Sequence, residues 1–195
     1  MMPFVPWKTT VPPDDATLAR RVAEGDREAL AVAYAREAAA VYRYALALCG
    51  NASWAADATQ DAFIALAARS RTFDASRGTL GAWLAGIARH ALLAQWRGAN
   101  GHAALDPADE QAGAPIGSSL DALLVQRQDL DALWIAIRAL PWVFREALVL
   151  VDLQERPYEQ AAAIAGVPIN TLRTRLHRAR ARLAAQLNGA KGGAA

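Results

Sequence analysis

The chain has 195 residues, of which 54% are hydrophobic and 21% charged, with a formal net charge of +2, so one ordinary domain or two small ones can be built from it. Alanine, leucine and arginine dominate, β-branched residues are sparse, and proline and glycine fall almost wholly between periodic stretches, which predicts an all-α soluble protein and excludes a sheet-based fold. Cys49 is the only cysteine; this excludes an internal disulfide and a cysteine-based zinc site, fits a reducing cytoplasm, and leaves Cys49 as a small buried hydrophobe.

Residues 1–16 hold one lysine, several prolines and no apolar core segment, and are read as a flexible lead, not a secretory signal. The block 17–98 then reads as a first domain with helices at 17–24, 26–48, 53–69 and 79–97. Asp26, Ser53 and Thr79 are placed to accept the orphan backbone N–H groups of the helix starts. The most apolar run, 41–48, is broken by Arg43, so no membrane span is expected.

On the helix at 53–69, Ala55, Ala58, Ala62 and Leu66 share one side, which leaves Asp57, Gln60, Asp61 and Ile64 on the other. An acidic surface with an apolar centre suits a basic protein partner and not DNA; a solvated face with Ile64 incidentally exposed is the plain alternative. On the helix at 79–97, Leu80, Trp83, Leu84, Ile87, Ala91 and Ala94 form the inward stripe, and Trp83 reads as core. The reverse side carries Arg89 and Trp96 with Leu92 and Leu93 at its edges, too apolar for a face meant only for water. Either unpaired bases stack on Trp96, aided by Arg89 and Arg97, or a partner or the rest of the chain covers it.

Residues 99–119 shift to glycine, alanine, serine and proline, with Pro107 and Pro115 preventing a continuous helix. Asp106, Asp109 and Glu110 give 99–118 a net charge of −3, whereas 18–98 and 119–195 each carry +3. This is read as a flexible acidic linker between two domains.

The second domain, 120–188, reads as helices at 120–139, 141–152, 157–165 and 169–187, with Pro141 and Pro157 in first turns; 189–195 reads as a disordered tail. A short helix, a break at Gly166, Val167 and Pro168, and a longer helix make a helix-turn-helix. Ile169, Leu172, Leu176, Ala179 and Leu183 fall inward at helical spacing. Asn170, Thr174, His177 and Arg178 fall opposite, flanked by Thr171 and Arg173, within reach of base edges. Arg175, Arg180 and Arg182 lie nearer the margins, where phosphates are the natural contact. No acid follows Glu159, whereas five arginines and Lys191 do, which concentrates a positive field at this end. Three scattered histidines, one cysteine and no glycine-rich phosphate loop supply neither a metal site nor a nucleophile with its base, so no cofactor and no catalysis are expected.

The order and spacing of several short phrases resemble the extracytoplasmic-function (ECF) sigma factors of bacterial RNA polymerase. In the first block these are Glu24-Gly-Asp-Arg-Glu-Ala-Leu30, Ala56-Asp-Ala-Thr-Gln-Asp-Ala-Phe-Ile64 and Gly81-Ala-Trp-Leu-Ala-Gly-Ile-Ala-Arg89. In the second they are Leu140-Pro141, Arg145-Glu-Ala-Leu148, Tyr158-Glu-Gln-Ala-Ala-Ala-Ile164 and Thr171-Leu-Arg-Thr-Arg-Leu-His-Arg-Ala-Arg180. The resemblance implies a sigma2-like bundle that binds the polymerase clamp and melts the minus-10 element, and a sigma4-like domain for the flap and the minus-35 element. Carried over by position, Asp57, Gln60, Asp61 and Ile64 become core polymerase contacts. The loop 73–79 resembles a pocket for a flipped base, to which Phe73 and Arg77 contribute; Arg89, His90, Trp96 and Arg97 extend the minus-10 surface. Asn170, Thr171, Arg173, Thr174, Arg175, His177, Arg178 and Arg182 become the minus-35 set. The linker acids resemble a segment that threads toward the active-site cleft; a solvated hinge is the other reading. The implied partners are core RNA polymerase, promoter DNA and an inhibitory anti-sigma factor.

The chain departs from the family at His90, where asparagine is usual, at Ala94 and Gln95, where an acid is common, and at Asn170, where glycine is frequent. Two other functions fit the residues less well. A stand-alone helix-turn-helix regulator would bind a palindromic operator as a dimer, and a helical adaptor would make the C-terminal arginines incidental.

Overall fold

The computed structural model describes residues 13–100 and 126–192, and every described element is helical. The expected linker acids Asp106, Asp109 and Glu110 and most of the expected lead lie outside the described residues, as do 120–125 of the fifth expected helix.

Helix α1 (Asp15–Ala23) starts at Asp14, whose carboxylate accepts the Thr17 N–H at 2.7 Å. Helix α2 (Arg27–Cys49) starts at Asp26, which accepts N–H bonds from Glu28 and Ala29 and is gripped by Arg21. It stops at Gly50, in the left-handed conformation at φ 66°, where a side chain would be strained. Helix α3 (Ala52–Arg69) is capped by Asn51 and not by Ser53, which lies inside the first turn. Asparagine one position earlier supplies the same acceptor geometry. Cys49 is half-buried, not fully enclosed, and exchanges hydrogen bonds with the Asn51 backbone.

Two 3₁₀ turns, Ser70–Thr72 and Ala75–Arg77, lead into α4 (Leu80–Asn100). Its first turn is held from two sides. Thr79 accepts the Ala82 N–H, and Asp15 of α1 accepts the Leu80 N–H at 2.6 Å while pairing with Arg36 of α2. The next residue is Gly81, over which the Glu37 carboxylate of α2 lies in the space a Cβ would take.

The second half comprises α5 (Gln126–Ala139), α6 (Trp142–Leu148) with a five-residue π-helical continuation (Val149–Leu153), α7 (Tyr158–Ala165) and α8 (Ile169–Gly192). Pro141 and Pro157 stand at the N-cap, one residue before the first turn expected for them. Their missing N–H is no loss in either position. Helix α8 runs through Asn188 and Gly189 to Gly192, into the expected tail.

Helices α2, α3 and α4 pack on one another, and α6 and α7 pack on α8. The apolar core continues from one half into the other, from Tyr44, Leu48, Leu66 and Leu84 to Ile137, Leu140, Phe144, Leu150, Leu172 and Leu176. Contacts of α4 with α7, and of α2 with α5, α6 and the π-helical turn, make this junction.

Candidate nucleic-acid and polymerase surfaces

The helix-turn-helix closes at Gly166, whose left-handed conformation (φ 67°) turns the chain while its N–H returns to the α7 carbonyls. Leu172, Leu176 and Ala179 are buried beneath α8, and Ile169 and Leu183 are half-buried beside them. Asn170, Arg173, Thr174, His177 and Arg178 are exposed, with Thr171 half-buried at their edge, so the outward face read from periodicity is the outward face of the fold. The Arg173 guanidinium lies 5.4 Å over the Tyr158 ring, which pre-positions it at low entropic cost. An open groove bounded by Val143, Phe144, Asn170, Thr174 and Arg178 runs alongside.

The marginal arginines differ from one another. Arg180 forms a two-pronged pair with Asp152 at 2.9 and 2.6 Å. Arg182 stacks 4.7 Å from the Phe144 ring. Arg175 is half-buried; burial lowers its pKa, and Glu146 opposes that shift. It belongs to the edge of the core, where a phosphate contact was expected.

The loop 70–79, the first turns of α4 and the end of α7 border an open cavity of about 320 Å³ lined by Phe73, Asp74, Arg77, Trp83, Ile87 and His90, among others. Phe73 and Trp83 meet edge to face, with ring centroids 6.2 Å apart. Asp74 accepts the N–H and hydroxyl of Ser76, bonds that hold its carboxyl below the usual range and stiffen the loop. His90 Nδ1 lies 2.7 Å from the Gly86 carbonyl; since a carbonyl only accepts, Nδ1 carries the proton. Trp83, read from periodicity as core, is half-buried and lines this cavity. Its place two turns below His90 was the available signal. Ala94, assigned to the inward stripe, is exposed, because α4 buries Leu92, Leu93 and Trp96 instead at this level.

The six expected minus-10 residues therefore separate. Phe73, Arg77 and His90 line the cavity, and Arg97 is exposed. Trp96 is buried, and Arg89 turns to the other half of the protein, donating to the Glu146 carboxylate from Nε at 2.6 Å and Nη2 at 3.3 Å. Of the two readings left open for this face, coverage by the rest of the chain is the one observed.

On α3, Asp57, Gln60, Asp61 and Ile64 are all exposed, Ile64 at 55%. Helix α2 adds Tyr34, equally exposed, with its ring 4.8 Å from that of Phe63. Tyr34 was missed because it lies on a helix whose small, alanine-rich side chains give little contrast between faces. No group of three or more His, Cys, Asp and Glu able to hold a metal occurs among the described residues, and none of their helices is long and apolar enough to cross a membrane.

Comparison with known proteins matches residues 33–101 to Sigma-70 region 2 and residues 130–183 to Sigma-70 region 4. The ECF RNA polymerase sigma factor EcfG of Rhodopseudomonas palustris is 32% identical over 146 residues, covering 74% of this chain and 77% of that protein. SigE of Mycolicibacterium smegmatis is 33% identical over 145 residues, covering 73% of this chain and 55% of that longer relative. Among solved structures, the sigma factor RpoE of Bartonella quintana, bound to its anti-sigma factor NepR, superposes with a TM-score of 0.63 at 28% identity, covering 80% of this chain and 94% of that one. With both conserved sigma regions matched in order on an all-helical fold, the chain belongs to the ECF RNA polymerase sigma factor family.

Proposed function

We propose that this chain is a non-catalytic initiation factor that docks on core RNA polymerase, directs it to a subset of promoters and is held inactive by an anti-sigma factor. The observation that carries the reading is the division of exposed chemistry among three elements. An acidic face with an apolar centre lies on α3, an aromatic-lined cavity beside the 70–79 loop, and the Asn170, Thr174, His177 and Arg178 face on the second helix of a helix-turn-helix.

In this reading residues 17–98 form the clamp-binding and minus-10 domain, 99–119 the linker and 120–188 the minus-35 domain. Asp57, Gln60, Asp61 and Ile64 meet basic and apolar groups of the polymerase. Phe73, Arg77 and His90 receive an unstacked base, whose extrusion is offset by contacts with the ring and guanidinium; Arg89, Trp96 and Arg97 join them once uncovered. On α8, Asn170, Thr171, Arg173, Thr174, His177 and Arg178 read base edges, and Arg175 and Arg182 support them from the margin. The protein works in the cytoplasm, where the polymerase is. The anti-sigma partner is supported by the NepR-bound relative and by the apolar exposure at Tyr34 and Ile64.

The test is reconstitution of the purified chain with core polymerase on a promoter library, read as transcript start sites. Starts at a shared two-element sequence are expected, with little specific duplex binding by the chain alone. Failure to bind core or to start any transcript removes the reading, whereas tight binding of a palindrome by the isolated chain selects the stand-alone regulator.

A further inference from the structure

An open cavity of about 630 Å³ lies where α2, α5 and the π-helical turn meet. Its apolar lining comes from Leu46 and Ala47 of α2, Trp134 of α5, and Val149 and Leu153 of the turn. Three guanidinium groups share that lining: Arg43 of α2, Arg138 of α5, and Arg156 just beyond the turn. Among the described residues none of the three forms an ion pair. Arg138 Nε is buried and has no hydrogen-bond partner among them. Arg156 donates only to neutral side chains, Gln154 at 2.8 Å and Gln160 at 3.1 Å. Burial lowers its pKa, and Tyr44 and Glu37 oppose that shift.

The backbone beside these groups departs from a plain helical bundle. Val149–Leu153 is wound as a π-helix, and Glu155 stands in the left-handed region at φ 52°, a conformation unfavourable for any residue with a Cβ. The Gln154 N–H returns to the Val149 carbonyl and the Arg156 N–H to that of Leu150, at 3.0 and 3.1 Å. The two irregular residues thereby flank Glu155 and both line the cavity. Wide turns and strained residues of this kind concentrate at binding sites.

We propose that this cavity binds a nucleoside di- or triphosphate, its base stacked on Trp134 and its phosphates held by Arg43, Arg138 and Arg156. The volume falls in the range of roughly 300–1,000 Å³ that small ligands occupy, and the place, between helices, is a usual one. Three uncompensated cations call for a polyanion and not a single carboxylate; guanidinium is the group that forks to phosphate oxygens. The indole and its aliphatic neighbours call for a flat apolar body attached to that anion, which a bare inorganic ion lacks. The cations reach one cavity from three elements, so they suit a compact ligand. This site goes beyond the initiation-factor reading and does not rest on it.

The experiment is equilibrium dialysis of the full-length chain against radiolabelled ATP and GTP, without divalent cation, so that the guanidinium groups meet unshielded phosphates. One saturable site per chain in the micromolar range is expected. The Gln154 amide is committed at both ends, to the Ala40 carbonyl and the Arg156 Nε, which leaves it unable to read a base edge, and ATP and GTP bind alike. Arg43→Glu, at an exposed position, weakens binding about tenfold or more. Trp134→Ala weakens it about fivefold or more, through the lost stack. Arg27→Glu, the same reversal at an exposed site on the same helix, leaves the affinity unchanged, and helical content by circular dichroism is preserved in all three. Pyrophosphate competes weakly and adenosine does not compete. No saturable binding at millimolar nucleotide, an affinity unmoved by Arg43→Glu in a folded chain, equal weakening by Arg27→Glu, or pyrophosphate binding as tight as ATP would each overturn the proposal. A chain that directs transcription but binds no nucleotide removes this site alone. One that binds nucleotide in this pattern yet never binds core keeps the site and removes the sigma-factor reading.

Discussion

Arg145 and Glu146 are neighbours in sequence, both almost fully buried, and do opposite things. Glu146 finds a cation; Arg145 finds carbonyl groups, donating to Leu48 at the end of α2, to Arg138 at 2.6 Å and to Leu140 at 2.8 Å. One guanidinium thus satisfies the ends of two helices that have no capping side chain of their own. Burial depresses its pKa to about 10, so it remains charged at neutral pH. Arg145→Ala should destabilise the fold by about 2–4 kcal/mol, since buried carbonyls lose their donors, and Arg145→Lys should recover less than half, because an ammonium gathers its donors on one nitrogen and cannot span carbonyls reached from Nη1 and Nη2 separately; urea unfolding checks both. At the surface, Asp26 has its carboxyl held below the usual range, first by the Ala29 N–H and then by Arg21. Its contribution is therefore complete above the ordinary carboxylate pKa and disappears as pH falls through the lowered one. Asp26→Asn should flatten the acid limb of the thermal stability curve while leaving a capped helix at neutral pH.

Helix by helix, what periodicity encodes is which side faces inward, and that was legible wherever large and small or apolar and charged residues alternate clearly. The outward sets on α3 and α8 emerged intact for this reason. On α4 apolar residues occupy both sides, so periodicity chose a stripe ending at Ala94 and set Trp83 in the core. The fold buries Trp96 instead and leaves Trp83 half open to the cavity. The partner of Arg89 was illegible for a different reason: Glu146 lies 57 residues away on another helix, and no local pattern announces a pairing across domains. Caps and breaks were legible to within a residue or two, the limit set by asparagine and serine being interchangeable acceptors at 51 and 53, except at the far end of α8, which runs five residues past the expected 187. The break that orients α8 depends on Gly166. A Cβ there would meet no neighbour, so the whole cost of Gly166→Ala is the left-handed backbone, about 1–2 kcal/mol. A lowered Tm, with α8 still helical by circular dichroism but weakened minus-35 dependence in reconstituted transcription, is the expected result.

Taken as one molecule, the chain has two positive halves joined by a negative segment, and one apolar core that runs through both halves. A shared core predicts shared unfolding. Scanning calorimetry of the free protein should show one transition whose calorimetric and van't Hoff enthalpies agree. Glu146→Gln should broaden or divide it, since separated halves melt on their own terms.

The 57 residues between Arg89 and Glu146 also have a meaning in time. At ribosomal speeds of about 5–20 residues per second, Arg89 is made roughly 3–11 s before Glu146. During that interval the junction face of the nascent half is presented to water with the Arg89 guanidinium and the Tyr44 phenol, both later bonded to Glu146, at its centre. Water satisfies both groups until the carboxylate arrives, so Arg89 and Tyr44 interrupt an apolar face that would otherwise be a larger aggregation hazard during synthesis.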